Sequence, residues 1–449
     1  MTEPAGKVST TVDEFPRKLS LLDATMINVG SMIGSGIFIV PATVAALVPS
    51  SSMVMLVWIL GGIVSMFGAL AIAELGALMP RAGGQYVYLR EAYNPLFGFL
   101  YGWTAFLVIN TGSIAAIAVT FATYVNYFLP LDPAGTKLVA IASVILLTII
   151  NCFGIRIGAI IQNGFTLLKI LALVLLALLA FVAGGGNLEH FSPILPTSPL
   201  GSLAGPFALA LIAALFAYDS WIEVTYVAGE VKDPNRNLPR SLFISTLIVI
   251  TLYLLTTLGV MTILGIEGMG KAPLVASDAA VRAVGPIGAM LVSIAVIVST
   301  FGANNGFIFT CPRLYFAMAK EGLFFKWLAY VNPKYQTPIP SLIVQALLSC
   351  GLILSGTFDQ LATYVVFASF FFYAMSAGAV IVLRKRNPDA RRPYSTWGYP
   401  VTPVVFILFA MYLVGATIAE NPIDATVGLG IILTGVPAYF YWKSRKSLS

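Results

Sequence analysis

Apolar runs of the length a membrane demands recur along the whole chain, separated by short polar punctuation. A helix needs about 20 residues to cross the hydrocarbon core of a bilayer. Twelve segments meet that length or come close to it: 21–47, 52–79, 95–128, 136–153, 158–184, 203–229, 240–264, 286–318, 338–356, 359–383, 400–419 and 424–442. The pattern predicts an all-α integral membrane protein with twelve transmembrane helices and no large soluble domain. It falters in two places. The first segment holds GSMIGSGIF (30–38), where glycine, the poorest helix former after proline, recurs in the middle of the run. The sixth holds LFAYDSWIEV (215–224), with Asp219 and Ser220 at its centre. Counted in fives, these segments open two successive sets, the pattern of a transporter built from inverted repeats. The expected divisions are a tail (1–20), a first repeat (21–184), a second repeat (203–383) and a final helix pair with a short tail (400–449).

Composition supports the membrane reading, with 58% hydrophobic and 10% charged residues. The net charge of +6 reflects topology rather than a nucleic-acid partner. With the N-terminus inside, every Lys and Arg falls on one side except Lys137, Lys271 and Arg282 opposite and Lys169 within a span. The positive-inside rule then predicts a multi-pass protein of the cell membrane with both termini cytoplasmic. The first 20 residues lack the apolar core of a signal peptide. Cys152, Cys311 and Cys350 lie in or at the inner ends of spans, so no structural disulfide is expected. The lone histidine, His190, falls in an outside loop; no metal and no cofactor are expected. Two connections exceed spacers: 80–95, read as re-entrant or amphipathic, and 232–242, rich in turn and helix-start residues.

Gly30-x-x-x-Gly34 fits a small-residue packing face. A helix break has another consequence. An unwound stretch at membrane depth must face a cavity or protein, and its half-helix ends bind a carboxylate and a positive group. Ile33, Gly34, Ser35 and Gly36 suit such a stretch, because glycine lets a ligand approach the backbone. An intramembrane carboxylate such as Asp219 normally faces a cavity or partner. It either serves a bound cation or stabilises the break itself. Glu223, one helical turn further on, is assigned to an inner vestibule or to solvent. Lys169 sits about 16 Å from the inner end of its span, too deep for snorkelling. It needs carbonyls or a carboxylate, and an unwound first span supplies carbonyls. Such an ammonium does the work of a sodium ion, or titrates, or is a structural tie. Ser299, Asn305 and Asn110 bring polar groups into spans eight and three, as sites or as interhelical glue. Phe216, Tyr218 and Phe370 are candidate gates or ordinary packing. No phosphate-binding loop, HExxH or Gly-x-Ser-x-Gly motif is present, so no enzyme is expected.

Four stretches in order carry a resemblance: GSMIGSGIFIVP (30–41), ELGALMPRAGGQYVYLREAYNPLFGFLYGW (74–103), LFAYDSWIEVTYVAGEVKDPNRNLPRSL (215–242) and FGANNGFIFTCPRLYFAMAKEGLF (301–324). The chain resembles the amino acid–polyamine–organocation superfamily, most closely its L-type amino acid transporter branch and bacterial relatives. That resemblance implies a LeuT-type five-plus-five inverted repeat with helices 1 and 6 unwound, plus two C-terminal helices. It implies substrate binding at Gly34, Ser35 and Gly36 and at Phe216, Ala217, Tyr218, Asp219 and Ser220. It places Lys169 where sodium-coupled cousins hold an ion, and so implies sodium-independent exchange of amino acids by alternating access. Animal relatives link to a heavy subunit through a cysteine before span four. The loop LPLDPAGTK (129–137) has none, so no such partner is expected. Asp219 stands where several neutral-only members carry a small residue, and both neutral and cationic substrates stay open. Proton-coupled symport or uniport of amino acids or amines, and a non-transporting sensor, are the alternative readings.

Overall fold

A computed structural model describes residues 15–183, 188–196, 199–355, 358–420 and 422–446. The expected tail over 1–20 lies mostly outside these. Each of the twelve apolar segments contains helix, and among the described residues the only β pairing is one isolated bridge, Leu19 with Val231. The first segment forms two helices, α1 (Leu21–Met32) and α2 (Gly36–Leu47), bent by 47°. Ser20 and Asp23 close a capping box that starts α1 at the end of the polar tail. Ser50 caps α3 (Ser51–Leu78), and α4 (Gln85–Ala92) follows. Asn94, with Pro95 behind it, opens α5 (Pro95–Thr104). A π turn over Ala105–Ile109 joins α5 to α6 (Asn110–Val125). Asp132 caps α7 (Pro133–Cys152), and α8 (Ile155–Ala183) returns.

The sixth segment is helical only as α9 (Leu200–Ala217); two single 3-10 turns then carry the chain to Glu230. The remaining helices are α10 (Pro234–Lys271), α11 (Val275–Val284), α12 (Ile287–Thr310), α13 (Pro312–Lys320), α14 (Ile339–Ser355), α15 (Phe358–Arg386), α16 (Val401–Glu420) and α17 (Pro422–Lys446). Among the described residues nine helical stretches have the length and apolarity to cross a membrane, and the bent pair makes a tenth. Two shorter apolar helices, Gly201–Ala217 and Ile339–Ser355, fill out the expected pattern.

One connection differs from expectation, and a second carries helix beyond its span. The 80–95 stretch is largely buried, because Gln85, Tyr86, Tyr88 and Leu89 of α4 pack inward rather than onto a membrane surface. The 265–285 stretch is mostly helix: α10 kinks at Gly265 (φ 67°) and continues to Lys271, and α11 follows.

The long helix α10 lies at the centre of one half of the bundle, packed on α1, α2, α3 and α8. On α8 the apolar residues Ile160, Leu167, Leu171 and Leu178 remain exposed, the expected face toward acyl chains. The first and last parts of the described chain approach the same end of the bundle: Phe15 stacks edge-on against Phe316, and Trp442 against Phe325. Two ion clusters lie there. Arg313 donates to Glu230 (2.8 Å) with both side chains fully buried. Glu74 accepts from Arg384 (2.6 Å) and from the backbone and hydroxyl of Thr396.

Candidate functional site

The break in the first segment is held open by side chains from three other helices. After Met32 the backbone leaves the helix at Ile33, and Gly34 N–H turns back to Met32 O. Gly30 O thereby loses its helical donor. The Lys169 ammonium takes that place, donating to Gly30 O (2.7 Å), Ile33 O (2.8 Å) and Ser299 O (2.9 Å) with its side chain fully buried. Ser299 adds its hydroxyl to Ile33 O (3.0 Å) and Gly34 O (2.9 Å). Four carbonyls thus converge on one ammonium and one hydroxyl, the environment a small cation requires. On the far side of the break α2 begins without a side-chain cap. Among the described residues the N–H groups of Gly36 and Ile37 have no partner, an arrangement suited to a carboxylate.

The two glycines of Gly30-x-x-x-Gly34 divide the labour. A Cβ on Gly30 would meet Gln162 Nε2 at 2.2 Å and Thr166 Oγ1 at 2.3 Å, so that position serves helix packing. A Cβ on Gly34 would meet nothing within 4 Å, because the position faces open space. Gly36 lets α2 approach α9, where an added Cβ would lie 3.2 Å from Ala217.

The second break follows Ala217. Ser220 takes a left-handed backbone (φ 73°), unusual outside glycine, and that geometry stops α9 from continuing. Asn28 of α1 supplies the lost backbone partners: its amide donates to Trp221 O (2.5 Å), and its carbonyl accepts from Val224 N–H (2.9 Å). The Tyr253 hydroxyl of α10 lies 3.0 Å from Met32 O and 3.1 Å from Ala217 O, so one phenol bridges both breaks.

Between the breaks lies a cavity of about 100 Å³. Gly34, Ser35, Gly36, Phe216, Ala217, Asp219 and Ser220 line it, as do Ser113, Phe307 and Val365. Phe216 is half exposed above it. Asp219, Ser220, Ser113 and Phe307 also border a smaller chamber of about 10 Å³, room for a single water. Asp219 accepts from Tyr373 (2.9 Å), and Glu223 accepts from Thr310 (2.6 Å). Asn110 and Gln85 complete its polar wall, with Asn110 Oδ1, Gln85 Oε1 and Ser369 Oγ buried and, among the described residues, unpartnered. A hydrogen bond between Tyr101 and Tyr226 and the Arg313–Glu230 pair close the bundle beyond it.

Four sequence-named residues stand elsewhere. The Ile33 side chain is buried, and only its carbonyl takes part. Tyr218 points away from the cavity, donating to Trp58 O (3.2 Å) and packing against Trp58 and Tyr253. Asn305 is bound to Asn151 and Gln162 in an interhelical network. Phe370 packs on Tyr373 and lines neither compartment. Glu223 does share a chamber with Asp219, but not through helical spacing, since residues 218–222 are not helical. The position is buried rather than solvated. Sequence reasoning missed Asn28, Tyr253 and Tyr373. Each is a polar side chain in an otherwise apolar run, the one signal that marks them.

A family model described as amino acid permease matches residues 19–437. The chain belongs to the amino acid permease family. It is thus a transporter-family protein and not an enzyme, and its all-helical build is consistent with the LeuT-type fold. The permease is 35% identical to "Large neutral amino acids transporter small subunit 2" of Mus musculus, over 96% of this chain and 82% of that one. It is 32% identical to "Serine/threonine exchanger SteT" of Bacillus subtilis (strain 168), covering 96% and 98%. It is also 32% identical to "b(0,+)-type amino acid transporter 1" of Mus musculus, covering 96% and 88%.

Proposed function

We propose that the permease is a sodium-independent amino acid exchanger working by alternating access. The observation that carries this reading is Lys169, whose ammonium occupies the carbonyl cluster at the first break. A covalently held cation replaces a dissolved one there. The relative named as a serine/threonine exchanger supports exchange as the mode.

In this reading the substrate carboxylate rests on the Gly36 and Ile37 N–H groups at the start of α2, where the helix dipole favours negative charge. The α-amino group meets the carbonyl end of α9. Phe216 closes over the substrate, and a bundle rocks around the two broken segments, with both termini in the cytoplasm. The chamber beyond Asp219 gathers two carboxylates and three unpartnered polar atoms, with no basic side chain on its wall. That lining favours substrates whose side chains donate hydrogen bonds, cationic ones included.

Counterflow in proteoliposomes of the purified protein tests the proposal. Labelled serine, leucine and arginine are offered outside, with the vesicles preloaded or empty, with and without sodium and a pH gradient. Uptake that requires internal amino acid and ignores sodium and pH is expected. Uptake into empty vesicles driven by the pH gradient would replace exchange by proton coupling. No uptake of any of the three would favour the sensor reading.

A further inference from the structure

A pocket of about 290 Å³, sharing no lining residue with the cavity between the breaks, lies between the start of α10, Leu70 of α3 and the stretch that leads into α16. Arg236 and Arg240 line it, four residues apart and therefore on one helix face. Both are exposed, and among the described residues neither enters an ion pair or a side-chain hydrogen bond. The nearby carboxylate of Glu74 is already engaged by Arg384, Arg392 and Thr396. The Tyr394 hydroxyl, also on the pocket wall, lies beside the Trp397 backbone. Apart from Asn235, the rest of the lining is apolar. Trp397, 60% exposed, packs edge-on against Phe243 at 5.4 Å. Past Arg240 the same helix exposes Ile244 and Leu247, so the pocket continues into a lipid-facing run.

We propose that this pocket binds the headgroup phosphate of an anionic phospholipid. Two guanidinium forks and a phenol supply donors matched to phosphate oxygens. Trp397 and Phe243 take the glycerol region, the position aromatic side chains favour at a membrane surface. The exposed run on α10 takes the acyl chains. Basic pockets between membrane helices bind such headgroups by the same combination. With two cationic groups and no free acid, the pocket prefers a headgroup that lacks an ammonium of its own. The apolar lining and its continuation distinguish a lipid from free phosphate.

The test uses the full chain in detergent, titrated with phosphatidylglycerol, phosphatidylcholine or inorganic phosphate, with native mass spectrometry and thermal unfolding as readouts. Phosphatidylglycerol alone is expected to stay bound and raise the unfolding temperature. Arg236→Gln/Arg240→Gln is expected to weaken its binding at least tenfold, and Arg236→Lys/Arg240→Lys to weaken it less. An equal shift with inorganic phosphate would make this a soluble-anion site, and an equal shift with phosphatidylcholine would remove the charge argument. Undiminished binding in the glutamine variant would overturn the assignment. Should that variant fail to fold, brominated-chain phosphatidylglycerol decides. It must quench a fluorescence component that Trp397→Phe removes, and brominated phosphatidylcholine must not. Equal quenching by both lipids, or none, refutes the site.

Discussion

Replacing Lys169 by methionine keeps the length of the side chain and removes its charge, so no uncompensated ion is left behind. What is lost is the donor at the first break. Ile33 O keeps the Ser299 hydroxyl as a partner, but Gly30 O has none, since Gly34 N–H is turned to Met32 O. One buried carbonyl left unsatisfied costs about 1–3 kcal/mol. That energy falls on the conformation in which the break is held open. Transport needs that conformation, so its population drops by about 5- to 150-fold. Counterflow of labelled serine in proteoliposomes is expected to fall by the same factor, about 5- to 150-fold, with the protein still inserted and monodisperse. Added sodium is not expected to restore it, because the methionine side chain still fills the space. Wild-type rates in Lys169→Met would refute the argument that the ammonium organises the site.

The two glycines of the first break make opposite predictions. Gly34→Leu places four carbons into a cavity of about 100 Å³ and is expected to abolish exchange while leaving thermal unfolding near wild type. Gly30→Ala drives a methyl group into Gln162 and Thr166 and is expected to lower the unfolding temperature. A third prediction concerns the buried ion pair. Arg313→Met strands Glu230 and is expected to cost about 3–5 kcal/mol of stability, whereas Arg313→Met/Glu230→Gln recovers most of it. Thermal unfolding of the three proteins measures this, and equal losses in the single and double variants would contradict it.

The broken helices were legible because glycine and a carboxylate have no business in the middle of an apolar run. Lys169 was legible for the same reason, down to the kind of partner it needed. The orientation of Tyr218 was not. The resemblance groups it with Phe216 and Asp219, but residues two apart on a helix do not share a face, and Tyr218 turns to Trp58 and Tyr253. Tyr373 was hidden among the phenylalanines of its helix, where only a hydroxyl distinguishes the residue that reaches Asp219. The unwound stretch after Ala217 had to find hydrogen-bond partners somewhere. That they come from Asn28, nearly two hundred residues away, is a fact of packing rather than of local pattern.

Tyr253 carries one phenolic proton and faces two carbonyls, one at the end of each half-helix. A single proton serves both acceptors only while they stay together. If the half-helices parted, only one could keep the phenolic proton: Met32 O would fall back on Gly34 N–H alone, and Ala217 O would be stranded in a dry interior. The cheapest displacement is one in which α1, α9 and the tyrosine of α10 travel as a unit. In kinematic terms the two breaks are not two hinges but one joint with a shared pin.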